Sequence, residues 1–357
     1  MALTAAMGSG IAGLRAFMDA LNVVGNNVAN VNTYGYKAGR VTFSESIYST
    51  QSAGSASTDV TGGTNPSQIG YGSSVGTIDL DMGTQALEST GMATDVAIQG
   101  DGFFLLGDKN GVEVDGLNSL MFSRVGNFKI DDDGYLTDGA GNIVYGFVMT
   151  TGAPKKDAAG KPTGGVDDAT AGNKADGIST NLVPIRLPMA NENGEAVYPG
   201  VQGGKNVAPT KAEGSTGKCI TYENLRIGDD GKVTCTNSMT DEIVTIGYIA
   251  LGSVTNPAGM THTDGPYYQA TDSAGDISVS TPKSSVFGQM DNGGTADAPD
   301  LLANSGTGVK SGFLEQSGTD LAQEFANMII YQRGYQANTR IVTVTDTMLE
   351  ELINMKR

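Results

Sequence analysis

Three features of this 357-residue sequence predict a mainly β chain with long terminal α-helices, the helices paired coiled-coil fashion and carrying nested β domains. Apolar residues recur at helical spacing only at the two ends. Between them the spacing drops to two, and strands rich in Val, Ile, Thr, Tyr and Phe are punctuated by Gly, Asp and Asn turns, with 51 glycines in the whole chain. Two sticky ends separated by β sequence can bury each other only if everything between them is looped outward.

The N-terminal segment places Met7, Leu14, Leu21 and Val28 on one line and Ile11, Met18 and Gly25 on the next, the seam of a coiled coil. Gly8, Gly10, Gly13 and Gly25 each cost about 1 kcal/mol relative to alanine in a helix interior, so this helix needs a partner. Its end is a run of asparagines, Asn26, Asn27, Asn30 and Asn32, leading into Thr-Tyr-Gly-Tyr. Asparagine tolerates left-handed geometry and bonds nearby backbone, which suits a helix stop; amides beside an apolar seam also suit directional contacts between subunits.

The C-terminal segment is the stronger helix. Thr319 or Asp320 can cap it, Glu324 complements the positive end of its dipole, and Lys356 and Arg357 the negative end. Leu321, Phe325, Met328, Tyr335, Val342, Leu349 and Ile353 form one apolar line, and Ile341, Met348, Leu352 and Met355 lie beside it. That surface is wider than one partner helix can cover, which predicts neighbours from other chains.

Strand signals fill the middle: Ile78, Leu80 and Met82 alternate, as do Val96 with Ile98 and Phe128 with Ile130, and Ile143–Phe147 follows the turn at 138–142. Residues 151–182 have almost no apolar content and read as a long loop or the entrance to a separate unit. Strands resume at 183–187, 218–222, 232–235 and 243–251. The expected division is a terminal helical domain (1–32 and 313–357), an extended connecting segment (33–75), an inner β domain (76–147 and 241–312) and an inserted outer β domain (148–240).

The formal charge is -17, and it is concentrated. The first 50 residues hold three basic and two acidic side chains and residues 311–357 hold four and six, which leaves 15 and 31 for the middle. Nucleic-acid binding needs clustered charge of the opposite sign. The first residues lack the basic lead and unbroken apolar stretch of a signal peptide, and Arg15 and Asp19 interrupt any membrane span. If the chain leaves the cytoplasm, it leaves by a route that does not cleave a signal, and neither nucleic-acid binding nor membrane insertion is expected.

No stretch supports a catalytic, cofactor or metal site. The run KAEGSTGKC at 211–219 has Ala212 and Cys219 where a phosphate loop needs glycine and a hydroxyl, and reads as a surface turn. A calcium loop starting at Lys129 would begin without an oxygen ligand and have Ala140 at its twelfth position; KIDDDG reads as a hairpin turn. GDGFFLLG at 100–107 lacks dinucleotide-loop spacing. His262, the sole histidine, reads as an exposed loop residue, and Cys219 and Cys235 as free thiols.

Two terminal segments, GLRAFMDALNVVGNNVANVNTYGYKAGRVTFSE (13–45) and LEQSGTDLAQEFANMIIYQRGYQANTRIVTVTDTMLEELINMKR (314–357), resemble the signatures of the bacterial flagellar rod and hook proteins. Residues 63–106 and 254–276 are similar to the segments that follow and precede them. The resemblance implies a tubular helical homopolymer in the hook or basal body, outside the cell after export by the flagellar secretion channel. Its implied partners are the distal rod, the hook cap, the hook–filament junction proteins and the export apparatus. The region 148–240 points within the family to a flexible curved hook that passes torque, with a straight distal rod as the alternative and a secreted β-rich adhesin as a reading of another class. Met7, Ile11, Leu14, Met18, Leu21, Asn27, Val28 and Asn30, with Leu321, Phe325, Met328, Tyr335, Gln336, Asn338, Val342, Leu349 and Ile353, are the expected assembly interface.

Overall fold

The computed structural model describes residues 2–57, 62–109, 117–150, 177–179, 181–202, 205–207, 215–282, 290–291 and 307–355. Most of the expected loop 151–182 lies outside the described residues. The chain forms two compact units, one of residues 1–33, 37–81 and 317–357, the other of 34–36 and 82–316.

The first unit holds both long helices, α1 (Ala2–Ala29) and α2 (Leu321–Met355). Asp320 caps α2: its Oδ1 accepts from the amides of Ala322 at 2.9 Å and Gln323 at 3.3 Å, satisfying donors that the first turn leaves unpaired. At the end of α1, Asn30 stops the helix as expected, its Nδ2 donating to Asn26 O at 3.0 Å. The two helices pack against each other antiparallel, Gly10 facing Val342 near one end and Asn27 facing Glu324 near the other.

Residues 33–75 are largely extended. Gly39–Glu45 pairs antiparallel with Ser73–Leu80 through a bulge between Thr42 and Phe43, and Tyr48–Ser52 pairs with Ser67–Gly70. Both ribbons are mostly exposed.

The second unit is β throughout. Its main sheet runs, in spatial order, through Tyr222–Ile227, Lys232–Asn237, Ile243–Ile249, Ile143–Thr150, Phe103–Gly107, Leu251–Val254, Ile277–Ser280 and Met290–Asp291, every pairing antiparallel. Strand Ile143–Thr150 is buried along almost its whole length, which its unbroken apolar run anticipates. Gly146 makes the close packing there possible: a Cβ on it would stand 2.2 Å from Tyr248 O and 2.7 Å from Ile185 Cδ1. The expected boundary at 148 falls inside this strand, and strands of 222–237 share its sheet.

Remote flanks close the unit. Val96–Gln99 pairs with Gly308–Ser311 and Leu87–Ser89 with Phe313–Glu315, all antiparallel. Between them sits a core that includes Ile98, Phe104, Phe128, Val144 and Val309.

Two local expectations need correcting. Ser215–Cys219, the described part of the expected surface turn, is a strand that pairs with Met189–Asn191, because Met189 and Ser215 bury against each other while Thr216, Gly217 and Lys218 face outward. His262 is exposed but lies in the short strand Thr261–His262, with its ring edge-on to Tyr268 at 5.1 Å. The KIDDDG turn is a hairpin between Lys129–Ile130 and Leu136–Thr137, with Gly134 at φ +84. Cys219 and Cys235 are not bonded.

Candidate assembly interface

The face α1 turns to α2 is made of small residues. Gly10, Gly13, Ala16, Ala20, Val24 and Asn27, spaced three or four apart, are all buried. Opposite them on α2 lie Tyr331, Gly334, Asn338, Val342 and Thr345, of which Thr345 is buried and the others are half-buried. A Cβ on Gly13 would meet Asn338 Nδ2 at 2.6 Å, and one on Gly10 would meet Val342 Cγ2 at 3.3 Å. Backbones approach this closely only where side chains are missing or short.

At the end of α1, Asn27 is a hydrogen-bonding node. Its Nδ2 donates to Gly39 O at 2.8 Å and to Glu324 Oε1 at 3.0 Å, while its Oδ1 accepts from Gly39 N at 3.0 Å. One buried amide thereby ties α1 to both the first strand and α2. Tyr331 lies along the same face, and burial first, with Glu324 second, pushes its phenol up from the ordinary value.

The expected interface residues divide around this seam. Met7, Leu14, Leu21, Val28 and Asn30 are half-buried, Ile11 and Met18 are exposed, and Asn27 is buried within its own chain. On α2, Met328, Asn338, Val342 and Leu349 are half-buried, whereas Leu321, Phe325, Tyr335, Gln336 and Ile353 are exposed. Most of the expected large apolar side chains therefore flank the helix pair, and of them Val342 faces Gly10 within it. Ile341, Val344, Met348, Leu352 and Met355 continue that apolar surface at 3-4 spacing, each between 45% and 78% exposed. Sequence reasoning missed Val344, Ile329 and Ile330 on this surface, and Ala16, Phe17, Ala20, Val24, Tyr331 and Gly334 in the seam. A stripe of small residues at helical spacing was the available signal.

In the second unit, Arg124 and Glu315 form a buried ion pair, Nη1 to Oε2 3.5 Å, their side chains 1% and 0% exposed. Glu315 Oε1 also accepts from Gln85 N at 2.8 Å, and Glu315 O accepts from Gly35 N at 2.8 Å. The Arg124 guanidinium lies 5.1 Å from the centre of the Phe103 ring. Burial lowers its affinity for its proton, and Glu315 opposes that shift. This cluster fixes strand Phe313–Glu315, the last before the segment leading to α2.

Among the described residues there is no group of three or more His, Cys, Asp or Glu side chains able to hold a metal, and no helix is long and apolar enough to cross a membrane.

Known proteins match at both helices and across the whole length. Residues 7–37 match the family described as flagella basal body rod protein, and 310–355 the one described as flagellar basal body rod FlgEFG protein C-terminal. The flagellar basal-body rod protein FlgG of Bacillus subtilis is 33% identical over 350 residues, covering 98% of each chain. The flagellar hook protein FlgE of Borreliella burgdorferi is 26% identical over 468 residues, again 98% of each chain. That of Escherichia coli is 26% identical over 425 residues, 98% of this chain and 100% of the relative. With whole-length similarity to both kinds of protein and both terminal signatures in place, the chain belongs to the flagellar basal-body rod and hook protein family.

Proposed function

We propose that this chain is a structural subunit of the flagellar hook, polymerising into a curved, flexible tube that couples rod to filament and transmits torque. The observation that carries this is the apolar surface left on α1 and α2 after they have packed together, with Met18, Phe325, Ile341, Met348 and Leu352 among its exposed side chains. Covering it stabilises association by roughly 25 cal/mol per Å² of apolar area removed from water. Copies of the same helix pair, joined coiled-coil fashion into a cylinder, are the occupants that family membership supports. The acidic β regions then lie outside the cylinder, where polar contacts between neighbours exchange at small energy differences.

The domain division set out above belongs to this proposal: helical ends for the tube, an inner β domain, and an inserted outer domain at 148–240. So do the location and the partners: export without signal cleavage, addition beyond the distal rod, growth under a hook cap, and contact with the junction to the filament. The chemistry is association, with no catalytic step. A distal rod subunit is the second reading, favoured by the 33% identity to a FlgG protein. Electron microscopy of polymer grown from purified chain separates the two, since curved tubes support a hook and straight rigid ones a rod. A chain that never polymerises contradicts both.

A further inference from the structure

We propose that Phe17 and Gly334 form an interlock that sets the register in which the two terminal helices pair. Gly334 is the sole glycine in the 35 residues of α2. Glycine is among the poorest residues for a helix interior, so its presence there asks for a packing reason. The reason is the Phe17 ring. A Cβ on Gly334 would stand 2.6 Å from Phe17 Cζ and 2.8 and 2.9 Å from its two Cε atoms, closer than carbon atoms approach.

The ring cannot easily step aside. Its centroid is 5.6 Å from that of Phe43 and 6.2 Å from that of Tyr331, and Phe43 and Tyr331 meet each other edge-on at 5.9 Å. Such spacings are those of favourable aromatic pairs. The bulge between Thr42 and Phe43 is where the strand shifts register, so the strand supplies the third ring at an irregularity in its pairing. Phe17 is thus held by rings from α2 and from the ribbon while its tip enters the hollow that Gly334 leaves.

A register shift would destroy this fit. With one glycine in α2, sliding the helices by a turn sets the ring against a residue that has a Cβ, with Tyr331 or Asn338 among the nearest alternatives on the same face. Asn338 over Gly13 adds a second, softer contact, because an amide at the end of a side chain can rotate away. Register decides which side chains remain outside the pair. The interlock therefore also selects the apolar surface presented to neighbouring copies, and that second consequence rests on the assembly reading above.

The test uses the full chain, reading helix melting at 222 nm in the soluble protein and critical concentration for polymerisation by sedimentation. Gly334→Ala is expected to lower the melting temperature and raise the critical concentration ~10-fold, although alanine is the better helix former. Adding Phe17→Leu, which removes the clashing ring atoms, is expected to recover at least half of both losses. Gly8→Ala and Gly25→Ala, where no atom stands within 4 Å of the new Cβ in the single chain, should leave melting unchanged or raise it. The inference is overturned if Gly334→Ala melts at or above the wild-type temperature, or if the double variant is no better than Gly334→Ala alone. Should wild-type chain not polymerise at all, the assembly reading fails while the melting series still decides the interlock.

Discussion

Asn27 and Glu324, 297 positions apart in the chain, share a 3.0 Å hydrogen bond between Nδ2 and Oε1. The same amide holds Gly39 through both its donor and its acceptor. Asn27→Ala removes three hydrogen bonds from a buried site and is expected to destabilise the helical unit by ~2–3 kcal/mol. Asn27→Asp keeps the acceptor for Gly39 N but sets a second carboxylate against Glu324, so it should be the more damaging of the two. Thermal melting at 222 nm checks the order, and equal stability of both variants with wild type would show that the node contributes nothing.

The outward apolar line on α2 separates assembly from folding. Met348 is 47% exposed in the single chain, so Met348→Asp should change monomer stability by less than ~0.5 kcal/mol. In a polymer that covers this position, the same carboxylate is buried without a partner, costing several kcal/mol per subunit. Sedimentation should therefore find soluble, folded monomer and no tubes. Leu349→Asp, at a half-buried position, should impair both melting and assembly.

Much of this arrangement was legible in the sequence, and the illegible parts share a cause. The cap at Asp320, the stop at Asn30 and the strand that begins at Ile143 follow from local rules, because caps, turns and apolar runs carry their physics within a few residues; that the strand runs on to Thr150 does not. The helix seam did not. Hydrophobic periodicity weights large side chains, so Leu14 and Leu21 stand out, while Gly10 and Gly13 count only as helix-weakening and Ala16, Ala20 and Gly334 carry no signal in it. Close packing of two backbones reverses that weighting, since a missing Cβ is what permits the approach. The Arg124–Glu315 pair was equally hidden: neither residue has a local signal, and only the pairing of remote flanks buries them together.

That ion pair anchors the strand that precedes α2. Removing one partner leaves a charge buried without its counter-ion, so Arg124→Met or Glu315→Leu alone should destabilise the β unit by roughly 3–5 kcal/mol. Replacing both with apolar residues should cost less than either single change. Urea unfolding followed by tyrosine fluorescence provides the cycle, and strictly additive losses would mean that the two side chains do not interact.

The thiol of Cys235, 1% exposed, is pushed up by burial from 9.0 to about 11. Above about pH 9 the unfolded thiol ionises while the buried one still holds its proton, so the folded chain keeps its full stability below about pH 9 and loses it as pH rises toward about 11. Tyr267, raised by burial and by its hydrogen bond to Asp138, adds a loss of the same sign at still higher pH. Unfolding midpoints from pH 7 to 11 should decline in this window, and Cys235→Ala should flatten the first part of the decline. Iodoacetamide at pH 8 should modify Cys235 far more slowly in the native chain than after unfolding.

A helical reconstruction of polymer grown from the full chain should show a cylinder built from α1 and α2, with Phe325, Ile341, Met348 and Leu352 packed against the helices of neighbouring copies. A polymer joined only through its β regions, with those four side chains still in water, would contradict it.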